Sequence, residues 1–324
     1  MDSLGIEPFT KADSMGFLAP RFDPPIIDKR SAIDLALVTS APPVSLTDPA
    51  APPSLKQTLA KHREFIRELL AQWEIAHLVL SREDLDIPEC IRVVCGLQSP
   101  PIGARPQRIA QILWEVGIRV VNLSGYEGPH QFGAGFAEPR VGLTLSGRRF
   151  VRACAKVGLI GDVSHMSHQC IRDTFRLIDK EQLRLPLMAS HVGCCGVHAH
   201  DRSLPDDILQ EIFVRGGYVG IVGMAPFLST HDTSIEPFFR HLEYALAMAK
   251  KVRSGFVGFG SDVVYRDQVQ DEDRSFPREW VEQETQIPQL IQAEMRKRGF
   301  DLATRQGVLG ANFLRFLRLA LPEK

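Results

Sequence analysis

An excess of charge of either sign is missing from this 324-residue chain, in which 39 acidic residues stand against 38 basic ones. No whole-molecule field therefore draws it to nucleic acid or to an anionic membrane. Uninterrupted apolar runs of the roughly 18 residues needed to span a bilayer are also missing. The opening Met1-Asp-Ser-Leu-Gly-Ile-Glu-Pro8 carries early acids and no apolar h-region, so no secretory signal is expected. The closing Leu321-Pro-Glu-Lys324 has no hydrophobic tail, so no lipid anchor is expected. Six cysteines without an export signal read as reduced thiols rather than a disulfide framework, and the expected compartment is the cytoplasm. There is no internal repeat. There is also no Gly-x-Gly-x-x-Gly turn after an early strand, which argues against an open dinucleotide-binding sheet.

What is present is the composition of a soluble globular protein, 44% hydrophobic and 24% charged. Residues 1–25 are rich in Pro, Asp and Phe without periodicity and are expected to form an N-terminal arm, leaving 26–324 as one domain. A Pro-rich loop from Ala41 to Pro53 precedes a helical pattern over 54–73. Short apolar runs then recur between helical or loop sequence. They are Pro25–Asp28, Ile33–Val38, Ile91–Cys95, Arg119–Leu123, Leu159–Val163, Leu185–Ala189, Tyr218–Val222 and Phe256–Phe259. Near-continuous apolar strands alternating with helices indicate a parallel sheet buried on both faces. Eight of them in a chain of this length predict a single (β/α)8 TIM barrel, whose chemistry sits at the C-terminal ends of the strands. The residues that end these runs are Arg30 and Ala32, Gln98, Gly125 with Tyr126, His165, His191 and Asp262, and they should converge on one mouth.

Several of these ends carry motifs. Asp162-Val-Ser-His165, Ser190-His191, His200-Asp-Arg-Ser-Leu-Pro-Asp-Asp207 and Gly258-Phe-Gly-Ser-Asp262 occur in that order, with Gly142-Leu-Thr-Leu-Ser-Gly-Arg148 and Gly310-Ala-Asn312 around them. In order and spacing they resemble the renal, or membrane, dipeptidase family of zinc peptidases, from about Ile26 to the C-terminus. The resemblance implies a barrel of the metal-dependent hydrolase type, a homodimer, and a two-zinc site with a bridging glutamate. It implies that His165 and His191 ligate one zinc, that Arg202 binds the carboxylate of a small dipeptide- or amino-acid-like substrate, and that Asp262 handles the catalytic proton. Tyr126 and His130 fall where further substrate contacts are expected.

The departures from that pattern shape the expected chemistry. Arg30 and Ala32 stand where the family has a histidine and an aspartate on the first strand. Gln98 stands at the bridging glutamate, and Gly125 at a histidine that helps hold substrate. Two negative charges are lost and one permanent positive charge is gained in a site built to hold dications. The first-strand metal position is therefore expected to be empty, and at most one zinc is expected at His165 and His191, since zinc sites normally use three protein ligands. Gln98, His168, His130, Cys194 or Cys195 remain open as a third. In the alternative, the Arg30 fork replaces the metal and works with Gln98 and Asp262 in a metal-independent tautomerase, lyase or decarboxylase. A catalytically silent binding protein is the third reading. Each of these residues also has a structural alternative: strand-end histidines satisfied by neighbours, His168 on the first turn of the next helix, Arg30 paired with Asp28, and the cysteine pair as core.

Overall fold

The structure is a computed structural model in which residues 12–18, 33–45, 47–48, 51–72, 76–265 and 287–324 are described. The apolar runs become parallel strands: β2 (Leu35–Thr39), β3 (Ile91–Leu97), β4 (Ile118–Asn122), β5 (Ile160–Asp162), β6 (Leu187–Cys194), β7 (Tyr218–Val222) and β8 (Phe256–Gly260). The run Pro25–Asp28 lies outside the described residues. In the sheet, the place beside β2 is taken by β1 (Ala12–Leu18), from within the stretch expected to be an arm. A last strand, β9 (Val263–Tyr265), pairs with the other side of β1. The hydrogen-bonded order is therefore β8-β7-β6-β5-β4-β3-β2-β1-β9. Because only Ser261 and Asp262 separate β8 from β9, one eighth strand position pairs with β7 in its first half and with β1 in its second. The sheet closes on itself as a (β/α)8 TIM barrel.

Helices return the chain between strands and cover the outer face: α1 (Leu55–Gln72), α2 (Pro106–Glu115), α3 (Leu145–Val157), α4 (His168–Glu181), α5 (Asp206–Val214), α6 (Glu236–Val252) and α7 (Ile287–Lys297). None among the described residues is long and apolar enough to cross a membrane. Local chemistry sets their starts, as at α4, where the Ser167 hydroxyl accepts the Cys170 N–H at 3.0 Å.

Strand side chains alternate between the two faces. Ala36, Val38, Val93, Val121, Ala189, Val219 and Val257 join the layer between sheet and helices. Leu35, Leu37, Val94, Val120, Ile160, Met188 and Tyr218 form a second core inside the barrel. That inner core is completed by Phe313, Phe316 and Leu317 of α8 (Asn312–Ala320), which plugs the N-terminal end of the strands. The Asn312 amide donates to the Val257 carbonyl at 2.8 Å and fixes the helix in place. Tyr218 fits there because position 258 is glycine, where a Cβ would lie 2.1 Å from the tyrosine oxygen.

The candidate active site

The inner face changes character toward the C-terminal ends of the strands. Two residues beyond Val120, Ile160 and Met188 on their own strands come Asn122, Asp162 and Ser190, and four beyond Val94 comes Gln98. All four are buried polar groups. Strand periodicity thus stacks a polar layer on the apolar plug, and the mouth opens above it.

A bulge brings His191 into this layer. Along β6 and β7, Val219 pairs with Ala189 but Ile221 pairs with Val192, so Ser190 and His191 together face Gly220 alone. The extra residue breaks the alternation and turns two consecutive side chains inward, as bulges beside active sites do. Gly260 on the neighbouring strand makes room, since a Cβ there would lie 2.1 Å from the Ser190 carbonyl and 3.0 Å from the His191 Cβ. The expectation that β6 ends at His191 is corrected by this register: the strand runs on to Cys194. Between β8 and β9, Asp262 adopts a left-handed backbone (φ 59°), a conformation aspartate tolerates better than most residues.

The two imidazoles meet, with His165 Nε2 3.0 Å from His191 Nε2. Behind His191, its Nδ1 lies 2.7 Å from the Ser190 hydroxyl, which in turn donates to Asp162 Oδ2 at 2.5 Å. The other oxygen, Asp162 Oδ1, accepts the Ser164 N–H at 3.0 Å, the Ser164 hydroxyl at 2.7 Å and the Ser190 N–H at 3.1 Å. In front, Tyr126 stacks on His165 with ring centroids 4.1 Å apart, and Asp262 Oδ1 lies 4.0 Å from His191 Nε2.

Arg202 enters from the loop before α5 and is the largest fully buried side chain among the described residues. Its guanidinium lies near the faces of Phe136 and Phe227, at 5.3 and 5.4 Å. Nη1 donates to the Ser164 carbonyl; Nη2 lies 3.4 Å from both the His191 carbonyl and His165 Nε2. No carboxylate among the described residues lies within 4.0 Å of this cation, and its Nε–H has no hydrogen-bond partner among them. Burial, and then the adjacent Arg202 charge, hold His165 and His191 well below the ordinary histidine range. Both are neutral at pH 7. Burial lowers Arg202 itself, partly offset by Asp262, Tyr126 and Asp162, and burial and the Asp262 charge raise the Tyr126 phenol.

The structure thus brings together His165, His191, Arg202, Asp262 and Tyr126, with Gln98 in the polar layer on the same side. His130 has another occupation: Nε2 lies 3.1 Å from the Pro100 carbonyl and Nδ1 accepts the Phe132 N–H at 3.1 Å. Neither ring nitrogen is left for a substrate. His168 begins α4 and bonds the Ser203 carbonyl at 2.9 Å, to which the Cys195 thiol also donates. Cys194 is buried core. Arg30 and Ala32 lie outside the described residues. Sequence reasoning passed over Asp162, Ser164 and Ser190 as functional groups, although a polar residue breaking the inward parity of an apolar strand was a readable signal.

As a cradle for metal, the imidazole pair has suitable spacing. Two Zn–N bonds of about 2.0–2.1 Å at tetrahedral angles hold their nitrogens roughly 3.3–3.4 Å apart. No cluster of three or more His, Cys, Asp or Glu side chains suited to a metal occurs among the described residues. Two positions of a single-metal site fit these residues.

Buried neutral histidines also make the fold acid-sensitive. Burial pushes His130 and His241 down to about 4. The unfolded chain takes up these protons near pH 6.5, so stability is lost as pH falls from there to about 4. Each such histidine costs at most about 1.4 kcal/mol per pH unit in that window. Urea denaturation at pH 7 and pH 5 should show a clear loss at pH 5; equal stability would contradict neutral burial.

Comparison with known proteins bears on the fold. Residues 35–321 match the family model described as membrane dipeptidase, peptidase family M19. Dipeptidase 3 of Rattus norvegicus is 24% identical over 262 residues, covering 79% of this chain and 50% of that protein. The chain spans about half the length of the curated relatives it matches. Among solved structures, an amidohydrolase from Pseudomonas aeruginosa superposes with a TM-score of 0.79 at 19% identity, over 96% of each chain. A metallo peptidase from Rhodobacter sphaeroides, liganded with a phosphinate mimic of the dipeptide L-Ala-D-Ala, gives 0.76 at 18% identity, over 97% of this chain and 100% of that one. At such identities the structural likeness establishes the fold.

Proposed function

Because the chain belongs to the membrane dipeptidase family, peptidase family M19, we propose that its mouth binds a small dipeptide- or amino-acid-like molecule through Arg202, with ordinary two-zinc dipeptide hydrolysis weak or lost. The observation that carries this reading is the condition of Arg202. A guanidinium taken fully out of water, with two backbone carbonyls and no carboxylate within 4.0 Å among the described residues, bears a desolvation cost that the more distant Asp262, Tyr126 and Asp162 offset only in part. A ligand carboxylate at the mouth would supply the missing charge and a partner for Nε–H, in the charge-assisted pairing arginine is suited to. The Tyr126 ring, stacked on His165, would wall one side of such a ligand. Asp262 would exchange a proton at its carboxylate, beside His191 Nε2.

The weakness of hydrolysis follows from the ligand set. Gln98 is neutral where the family has a glutamate, and Arg30 and Ala32 replace the first-strand ligands. If His165 and His191 hold one metal ion, it supplies polarisation of a substrate carbonyl. A second reading, metal-independent proton transfer such as isomerisation or decarboxylation, is favoured by one specific observation. The imidazole pair is hydrogen-bonded within itself at 3.0 Å, and the Arg202 cation already lies 3.4 Å from His165 Nε2.

Calorimetric titration with simple dipeptides, beside hydrolysis assays with and without a chelator, tests both parts. Binding with little chelator-sensitive turnover is expected. Efficient cleavage abolished by chelator would overturn the loss of hydrolysis, and absence of any binding by dipeptides or amino acids would overturn the substrate class.

A further inference from the structure

A neutral imidazole carries its single proton on one nitrogen or the other, and only the bare nitrogen can accept a proton or hold a metal. Which one is bare in His191 follows from the chain of contacts behind it. An ionised carboxylate is acceptor-only. Asp162 Oδ1 already receives the Ser164 N–H, the Ser164 hydroxyl and the Ser190 N–H, at 3.0, 2.7 and 3.1 Å. Oδ2 receives the Ser190 hydroxyl at 2.5 Å. A hydroxyl has one proton, and that of Ser190 is used here. Ser164, 3.0 Å from Ser190, cannot change this, because its own proton goes to Asp162 while its oxygen accepts the His191 N–H at 3.2 Å. The 2.7 Å contact between Ser190 Oγ and His191 Nδ1 must then run from nitrogen to oxygen.

We infer that Asp162, acting through Ser190, is a positioning residue that sets the direction of this hydrogen-bond chain and keeps Nε2 of His191 unprotonated toward the mouth. The direction is a property of the carboxylate alone. In Asp162→Asn, three donors still require the amide oxygen at the Oδ1 place, which puts the NH2 group at the Oδ2 place. That group donates to Ser190 Oγ, the Ser190 proton turns to His191 Nδ1, and the His191 proton moves to Nε2. One nearly isosteric substitution reverses the whole chain. In Ser190→Ala the chain is cut, and both tautomers become populated.

The inference concerns the same site as the proposed function, but its readout needs neither substrate nor metal, so either can fail while the other stands. Nitrogen-15 NMR of the histidine-labelled protein reports the tautomer directly, with the His191 signals assigned by their absence in His191→Gln. Wild type should show a protonated, pyrrole-type Nδ1 and a bare, pyridine-type Nε2. Asp162→Asn should exchange the two positions, and Ser190→Ala should give averaged ones. A wild-type proton on Nε2, or an unchanged tautomer in folded Asp162→Asn, overturns the inference. If Asp162→Asn does not fold, an unchanged tautomer in Ser190→Ala has the same force.

Discussion

Arg202→Met is expected to weaken the binding of a dipeptide carrying a free carboxylate by about ten- to a hundredfold. That corresponds to the roughly 1.5–3 kcal/mol typical of a lost charge-assisted contact. The fold should survive the change. Two carbonyl contacts, to Ser164 and His191, are lost. Their loss is offset by removing a buried cation that has no carboxylate within 4.0 Å among the described residues. Methionine is flexible enough to fill much of the slot between Phe136 and Phe227. Arg202→Lys should recover part of the affinity, because it restores a charge but not the planar fork. Titration calorimetry gives the affinity, and urea denaturation reports stability. Unchanged affinity in Arg202→Met would remove the observation on which the proposed function rests.

Phe313→Ala should destabilise the protein by about 3–5 kcal/mol, the usual cost of emptying a large aromatic site in a core. Phe313 is 1% exposed and its ring lies 5.0 Å from that of Tyr218. Together with Phe316 and Leu317 it closes the lower end of the barrel. Strands on every side hold this cavity open, so neighbours have little freedom to collapse into it. A shift in the urea midpoint at unchanged slope measures the effect. Ligand affinity under native conditions should be unaltered, because the polar layer at Asn122, Asp162 and Ser190 stands between plug and mouth. A loss below about 1 kcal/mol would mean that α8 does not seal the barrel.

The barrel itself was readable in the chain, because a strand buried on both faces needs apolar side chains at nearly every position. The runs at Ile91, Arg119, Leu159, Tyr218 and Phe256 all become strands within a residue or two of their expected ends. The strand Ala12–Leu18 was not readable. Its sequence, Ala-Asp-Ser-Met-Gly-Phe-Leu, offers no such run. It is a strand because β2 and β9 present unpaired backbone on either side of it.

The candidate site divides along the same line. By itself, the sequence determined which groups end the strands, since strand periodicity and run length put His165, Asp262 and Gln98 near one mouth, and family resemblance added Arg202. Only the tertiary structure decided how they meet. The inward turn of His191 depends on a bulge against β7 and on the missing side chain at Gly260. The occupation of His130 depends on the Pro100 carbonyl, thirty residues away. The neutrality of the imidazoles depends first on their burial in the closed barrel, and then on a guanidinium that arrives from a separate loop beside them. A local pattern fixes the face on which a side chain stands, because backbone geometry repeats every two residues. Its partners, its charge and its proton are fixed by groups distant in the chain, and these become neighbours only when the barrel closes.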